Sequence, residues 1–288
     1  MARALMLTLA CTVLAVSTGA ASRSARDGRD DGKQALSYGA DRLQAVDYWA
    51  GPSSDAPLVV FVHGGGWKRG DKRMMDDSDK LEHWHAQGYA VASINYRLVP
   101  EATVEQEADD VAAAVAFLKA RAGALGFDPE RIALVGHSAG AHLVALVGTD
   151  PAYLRDAGLS FADIDGIVPL DGAAYNVPQQ LAEGPRIMGQ TYRQAFGDDA
   201  ARQAKLSPTT QAGAPNASDF LILHVQRPDG IKQSEALGAA LRRAGASVEV
   251  RGFAGTGLAG HAEINRRMGD TGYPATAVLD AFLARVFS

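Results

Sequence analysis

A serine between small residues is the first feature of the chain that points to chemistry. Ser138 lies in the sequence GHSAG at positions 136–140, after an apolar run over Arg131–Val135 and before an apolar segment over Ala139–Val147. A serine at a tight turn from strand to helix takes a strained conformation, and flanking glycines let the backbone close around it. The turn would present the hydroxyl as a nucleophile, with the Ala139 N–H at a helix terminus where an oxyanion can bind. The alternative is a structural Gly-Ser turn.

A second glycine-rich sequence, HGGGW at positions 63–67, directly follows the apolar run Leu58–Val62. Three consecutive glycines leave backbone N–H groups unshielded, so Gly65 and Gly66 are candidate oxyanion donors beside Ala139. A glycine-rich turn after a strand can also cradle a phosphate. That alternative is weak here, because neither G-x-x-x-x-G-K-[ST] nor G-x-G-x-x-G occurs at this place.

Serine needs a general base, and histidine is the usual one. The seven histidines lie at positions 63, 83, 85, 137, 142, 224 and 261. We predict His261 as the base, since it ends a glycine-rich loop near the C-terminus after a strand over Val248–Phe253. We expect positions 63 and 137 to be local scaffolding and positions 142 and 224 to be core histidines. Positions 83 and 85 would diverge on a helix, which argues against a metal pair.

An acid must hold the histidine in the correct tautomer. One common chain order is Ser, then Asp or Glu, then His, which confines the search to positions 138–261. We predict Asp229, which follows a strand over Leu221–Val225. Asp171, after a strand over Ile167–Leu170, is a competitor with a pocket or structural role as its alternative. Asp219 precedes its strand and would lie at the wrong end of the sheet.

The elements that must position these residues alternate between strand and helix. Predicted strands cover 43–49, 58–62, 89–96, 131–135, 167–170, 221–225 and 248–253, and predicted helices cover 80–86, 101–122, 139–147, 234–244 and 275–287. Such alternation predicts a mainly parallel sheet with helices on both faces. Residues 176–216 break the rhythm, and we interpret them as an insertion near a pocket within one domain over residues 35–288.

Composition narrows the functional classes. The 288 residues carry a net charge of −5, with 47% hydrophobic and 21% charged residues. These values are ordinary for a globular protein, and they give no electrostatic reason to expect nucleic acid as a partner. Cys11 is the only cysteine, which excludes an internal disulfide framework and a cysteine-rich metal site. We expect no metal and no organic cofactor.

The N-terminus has the pattern of an export signal. Arg3 precedes an apolar run over Ala4–Val16, and small residues follow up to Ser22. The run is shorter than the roughly 20 apolar residues that span a bilayer. We therefore predict a signal peptide over residues 1–21, a flexible leader over residues 22–34 and an exported protein without a stable membrane anchor. The alternative is an uncleaved anchor or a buried helix.

Together, these residues resemble the α/β-hydrolase superfamily. The similarity is to the esterase/lipase group whose oxyanion loop has the sequence His-Gly-Gly-Gly, and within it to small bacterial carboxylesterases and the arylformamidase (kynurenine formamidase) branch. The matching stretches are HGGGW at 63–67, GHSAGAHL at 136–143 and GHAEIN at 260–265. The resemblance implies the α/β-hydrolase fold, Ser138 as nucleophile, His261 as base and an acid on the loop after the strand that ends near Val225.

The expected reaction is hydrolysis of a small-molecule ester, with a short acyl chain, through an acyl-enzyme. Trp67 and Tyr175 are candidate pocket residues, with core packing as the alternative. Two other functions remain open at this point. One is an amidase that cleaves an N-formyl aromatic substrate, and the other is a non-catalytic binding protein on the same fold.

Overall fold

The computed structural model describes residues 32–76 and 78–288. The predicted signal peptide lies outside the described residues, as does the predicted leader up to residue 31. Two residues predicted to belong to the flexible leader, Lys33 and Gln34, lie instead in the first strand of the sheet.

Eight strands form one sheet in the order β1-β2-β4-β3-β5-β6-β7-β8. The strands are β1 (Lys33–Ser37), β2 (Ala45–Trp49), β3 (Leu58–Val62), β4 (Ala90–Ile94), β5 (Ile132–His137), β6 (Gly166–Leu170), β7 (Asp219–Gln226) and β8 (Ser247–Thr256). Only the pairings of β2, with β1 and with β4, are antiparallel among the described strands. The remaining neighbours are parallel, which confirms the predicted mainly parallel sheet.

Helices cover both faces of this sheet. They are α1 (Asp79–Ala86), α2 (Val104–Ala120), α3 (Ala122–Leu125), α4 (Ala139–Val147), α5 (Pro151–Asp156), α6 (Val177–Glu183), α7 (Gly189–Phe196), α8 (Ala200–Lys205), α9 (Pro208–Gln211), α10 (Pro228–Arg243), α11 (Gly257–Arg267) and α12 (Pro274–Val286). Buried residues of α2, α4 and α10 join one core cluster, and those of α1, α11 and α12 join the other.

The central strands are apolar along their whole length because both of their faces are covered. In β3, Leu58, Val60 and Val62 pack into one cluster while Val59 and Phe61 pack into the other. Side chains of a strand alternate between the two faces of the sheet, so a strand that is covered on both faces is apolar at every position. The continuous apolar run in the sequence therefore marks the middle of the sheet.

The register of the sheet brings the two glycine-rich sequences together. In the parallel pair β3 and β5, Val62 lies opposite Gly136. Because the two strands are parallel, both end at the same edge of the sheet, close to this pair. The loop that begins at His63 and the turn that carries Ser138 are therefore neighbours.

The predicted insertion over residues 176–216 contains α6, α7, α8 and α9 together with a 3₁₀ helix, Arg186–Met188. These helices have four to eight residues each, which is too short for a clear periodic signal in the sequence. Among the described residues, no helix is long and apolar enough to cross a membrane.

Candidate active site

Ser138 occupies the turn between β5 and α4 in a strained backbone conformation. Its φ and ψ angles are 58° and −115°, in a region that residues with side chains seldom adopt and that costs about 1–3 kcal/mol. The Ser138 N–H is anchored to the Leu170 carbonyl at the end of β6, at 3.1 Å. The turn is thus held between two strand ends, and the side chain is left half-buried at the edge of the sheet.

The second glycine of the GHSAG sequence is required by the close approach of two backbones. A Cβ atom on Gly140 would lie 2.1 Å from the Val62 carbonyl oxygen, well inside van der Waals contact. The first turn of α4 therefore packs directly on the end of β3. This contact explains in physical terms why glycine must stand two residues after the serine.

The HGGG loop lies against the same turn. A Cβ atom on Gly64 would lie 2.8 Å from the Ser138 Cβ, so the loop passes beside the hydroxyl. Gly65 has a φ of 141°, which favours glycine. Within the described part of the chain, neither Gly65 nor Gly66 donates its N–H to another residue. Ala139 is the first residue of α4, and N–H groups of a first helical turn have no partner inside the helix.

His261 bridges the serine and an aspartate. The Ser138 Oγ–H donates to His261 Nε2 over 2.9 Å, and the His261 Nδ1–H donates to Asp171 Oδ2 over 2.6 Å. Since a carboxylate only accepts hydrogen bonds, this pairing fixes the proton on Nδ1 and leaves Nε2 as the acceptor. The sequence predicted a loop at His261, but the residue lies within α11.

Asp171 follows β6 at the edge of the sheet and is fully buried. Its Oδ1 accepts from the Val225 N–H at 3.1 Å, and its Oδ2 accepts from Arg227 Nε at 3.0 Å as well as from His261. Burial raises the pKa of this carboxyl, but the hydrogen bond from His261, the charge of Arg227 and the Val225 N–H outweigh burial and lower the pKa to about 2. The carboxylate is therefore ionised throughout the physiological range.

Comparison with known proteins identifies the fold. Residues 48–165 match the family model described as BD-FAE. The crystal structure of esterase B from Lactobacillus rhamnosis superposes with a TM-score of 0.71 at 21% identity, over 91% of this chain and 87% of that one. The chain has the α/β-hydrolase fold. The predicted fold class is thus confirmed.

The curated relatives of this chain include an esterase and a formamidase. Esterase LipC of Mycobacterium tuberculosis is 30% identical over 200 residues, which cover 66% of this chain and 49% of that protein. Kynurenine formamidase of Meyerozyma guilliermondii is 30% identical over 154 residues, which cover 52% of this chain and 56% of that protein. The chain spans about half the length of these relatives. They confirm the predicted resemblance to esterases and to the arylformamidase branch.

The predicted pairing of Asp229 with His261 is wrong. Asp229 lies in the first turn of α10, where its carboxylate accepts from Gln180 Nε2 at 3.0 Å and from Arg227 Nη1 at 3.3 Å. The histidine is already paired with Asp171 at the end of the neighbouring strand. The resemblance implied an acid after β7, whereas the carboxylate that pairs with His261 follows β6.

Trp67 and Tyr175, the candidate pocket residues, are both buried in the core. The Trp67 ring packs edge-on against Phe196, with centroids 4.8 Å apart, and against Tyr192, with centroids 6.0 Å apart. Side chains without solvent-exposed surface cannot line an open pocket, so the packing alternative holds for both.

His142 connects the HGGG loop to the insertion. Trp67 Nε1–H donates to His142 Nδ1 at 3.3 Å, and His142 Nε2–H donates to the Leu206 carbonyl at 2.8 Å. Burial lowers the pKa of His142 to about 4, so the ring stays neutral and can accept and donate at once. The expectation of a core histidine omitted this connecting role, which only the folded chain reveals.

His137 holds the backbone of the candidate base, His261. Its Nε2–H donates to the His261 carbonyl over 3.0 Å, and the two rings lie 4.6 Å apart. Burial and the neighbouring His261 lower the pKa of His137 to about 3. The ring is therefore a neutral hydrogen-bond donor, in agreement with the expected scaffolding role.

Proposed function

We propose that this protein is a serine hydrolase that cleaves carboxylic esters through Ser138, His261 and Asp171. One observation carries the proposal: His261 is hydrogen-bonded at the same time to a strained serine hydroxyl and to a buried carboxylate. The three residues come from the ends of β5 and β6 and from α11. No simple structural need explains a line of serine, histidine and aspartate at the edge of the sheet.

The first half of the reaction acylates the serine. His261 Nε2 takes the Ser138 proton as the hydroxyl oxygen attacks the acyl carbon. Asp171 stabilises the imidazolium that forms and keeps its ring oriented. The same Nε2 then protonates the leaving alcohol, and the carbonyl re-forms as an acyl-enzyme.

The oxyanion is assigned to the N–H groups of Gly65, Gly66 and Ala139. The support for these donors is that the HGGG loop passes beside Ser138 and that the two glycine N–H groups have no acceptor among the described residues. Loss of one such donor lowers the rate by about 10²–10³-fold in other hydrolases. In the second half of the reaction, water repeats the attack with His261 as base and releases the acid.

Labelling of the nucleophile tests the proposal. A serine-directed phosphonate should inactivate the protein, and peptide mapping should find the adduct on Ser138. Ser138→Ala should abolish both labelling and hydrolysis of p-nitrophenyl acetate, while its thermal unfolding stays close to that of the parent. An active protein whose adduct lies on another residue would defeat the proposal.

The proposed substrates are esters with short acyl chains, as the resemblance to small carboxylesterases favours. A series of p-nitrophenyl esters of increasing chain length measures this preference, and kcat/KM should fall beyond the short members. A maximum at long chains would contradict it.

A formamidase is the second candidate, because a kynurenine formamidase is among the relatives. The same residues would attack an N-formyl group, and His261 would protonate the leaving amine. Parallel assays with p-nitrophenyl acetate and N-formylkynurenine separate the two activities. We expect the ester to be the better substrate by kcat/KM.

We also propose that the protein is exported. The support is the N-terminal pattern of Arg3, the apolar run Ala4–Val16 and the small residues that follow. Expression in a bacterial host followed by fractionation should recover the activity outside the cytoplasm. N-terminal sequencing of that material should begin near Ser22, and an intact Met1 would overturn this proposal.

A further inference from the structure

We propose that Arg227 and Asp229 form a positioning pair for Asp171: Arg227 orients the carboxylate, and Asp229 orients Arg227 and offsets its charge. The inference rests on the proposed triad and adds two residues that do not touch the reacting atoms.

Arg227 contacts the carboxylate oxygen that pairs with the histidine. Its Nε donates to Asp171 Oδ2 over 3.0 Å, and the same oxygen accepts from His261 Nδ1 over 2.6 Å. Oδ1 is held separately by the Val225 N–H at 3.1 Å. Three donors in different directions leave the carboxylate one orientation, which sets the direction in which His261 faces Ser138.

The guanidinium itself is fixed on its other edge. Nη2 donates to the Gly172 carbonyl over 3.0 Å, and Nη1 lies 3.3 Å from Asp229 Oδ2. Asp229 in turn accepts from Gln180 Nε2 of α6 at 3.0 Å. The side chains of Arg227 and Asp229 are 7% and 12% exposed, so water competes little for these contacts. A planar guanidinium satisfies all of them at once, which a lysine ammonium cannot do.

The charges of the pair act on the histidine in opposite directions. Arg227 places a positive charge beside the Asp171–His261 contact, which disfavours a second positive charge on the imidazole. Asp229 places a negative charge behind Arg227 and partly cancels that effect. Loss of Arg227 should therefore favour the imidazolium, and loss of Asp229 should disfavour it.

Other ionisable groups face this cluster from neighbouring elements and stay in one charge state at weakly acidic pH. Burial lowers the pKa of His137 to about 3, while burial raises the pKa of Tyr192 to about 12 and the pKa of Tyr175 and Tyr273 above the usual value. Lys80 of α1 is a further cation that acts on His137, and burial lowers its pKa to about 8, so it is charged at weakly acidic pH. Neither substitution below replaces one of these groups.

The experiment compares the pH dependence of kcat/KM for p-nitrophenyl acetate in three variants of the full chain. The acidic limb of such a profile reports protonation of the general base. Arg227→Gln should move this limb up by about 0.5–1 pH unit and Asp229→Asn should move it down by about as much. Arg227→Gln should also lose about 10²-fold in kcat/KM through misorientation of the base.

Asp156→Asn is the matched control, because Asp156 pairs with Arg155 on the exposed surface and its loss should leave the limb where it is. Limbs of Arg227→Gln and Asp229→Asn that coincide with the parent limb, or that move in the same direction, would overturn the inference. If Arg227→Gln does not fold, Asp229→Asn keeps the guanidinium and carries the test alone.

The inference and the proposed function fail in different ways. If the parent protein hydrolyses no ester, the proposed function fails, and the pH dependence of phosphonate labelling at Ser138 then measures the same limb without turnover. If the parent is active and the variants show no opposite shifts, only the positioning pair fails.

Discussion

Replacement of Asp171 by asparagine tests the assignment of the acid most directly. Oδ2 accepts from both His261 and Arg227, and Oδ1 accepts from the Val225 N–H. An amide has one accepting oxygen and one donating NH₂. If the NH₂ faces His261, the histidine must accept on Nδ1, so its proton moves to Nε2, where it blocks the transfer from Ser138.

The opposite orientation of the amide is also unfavourable, because its NH₂ then faces the Val225 N–H and two hydrogen-bond donors meet in a buried site. We therefore expect Asp171→Asn to lower kcat by about 10³–10⁴-fold, as an asparagine at the acid does in the serine protease triad. That loss corresponds to ~4–5.5 kcal/mol of activation free energy. Stopped assays with p-nitrophenyl acetate at high enzyme concentration have the range to measure it.

Asp229→Asn is the control for this substitution, since it removes the same charge from the first turn of α10, where Asp229 also contacts Arg227. It should keep kcat within about tenfold at neutral pH, because Asp229 acts only through Arg227. A large loss in Asp229→Asn with near-parental activity in Asp171→Asn would refute the geometric reasoning and restore the acid predicted from the sequence.

Acid unfolding gives the same assignment a second test. The pKa of Asp171 falls from 3.8 to about 2 on folding, so its ionised form stabilises the folded state above pH ~4, and this contribution of ~2 kcal/mol is lost as the pH falls towards 2. Asp171→Asn should lack that segment of the pH dependence. Urea unfolding at several acidic pH values measures it, and parallel curves for parent and variant would contradict the expectation.

Two further predictions concern stability and use the same urea assay. Gly140→Ala places a methyl 2.1 Å from the Val62 carbonyl oxygen and should lower the free energy of unfolding by ~2–3 kcal/mol or more. In the control Gly123→Ala, the methyl has nothing within 4 Å and should stabilise α3 by up to ~1 kcal/mol. Equal effects of the two substitutions would contradict the contact between Gly140 and Val62. The pKa of Glu107 is raised well above 4.5 by burial and by the nearby carboxylates of Asp110 and Glu105, although a hydrogen bond with the Val99 backbone opposes this shift. The parent therefore loses stability as the pH rises above 4.5. The stability advantage of Glu107→Gln over the parent should therefore grow as the pH rises above 4.5, by up to ~1.4 kcal/mol for each pH unit, and should be absent at pH 4. A difference that is the same at pH 4 and pH 8 would refute this.

The serine turn and the HGGG loop could be predicted from the sequence because each is encoded locally. An apolar run fixes the strand, and the residues that follow it fix the turn. The step from two local motifs to one site requires only that β3 and β5 be parallel neighbours, with Val62 opposite Gly136. Alternation of strands and helices already predicts such parallel pairs.

The identity of the acid could not be read in the same way, since Asp171 and Asp229 satisfy the same local rule. Each follows a strand and lies between the serine and the histidine in the chain. The choice depends on the guanidinium of Arg227, which engages both carboxylates, and on the start of α10 at Pro228 rather than at Ser234. Neither feature has a periodic signal in the sequence.

The helix that carries His261 was missed because its sequence has low helix propensity. Gly257 and Gly260 lie in its first turn, and each glycine disfavours a helix by about 1 kcal/mol relative to alanine. Packing compensates: Ile264 is buried in the core, and Gly260 lies so close to Gly255 that a Cβ atom would fall 2.5 Å from its carbonyl carbon. Tertiary contacts decide this element, and propensity alone predicts the wrong one.

The proposed acid after β6 depends on groups from the end of β7. A fully buried carboxylate is stable only when donors surround it. The end of β7 supplies two of them, the Val225 N–H and the Arg227 guanidinium, directly beside β6. The two strand ends therefore divide one task, in which β6 provides the carboxylate and β7 provides the groups that hold it.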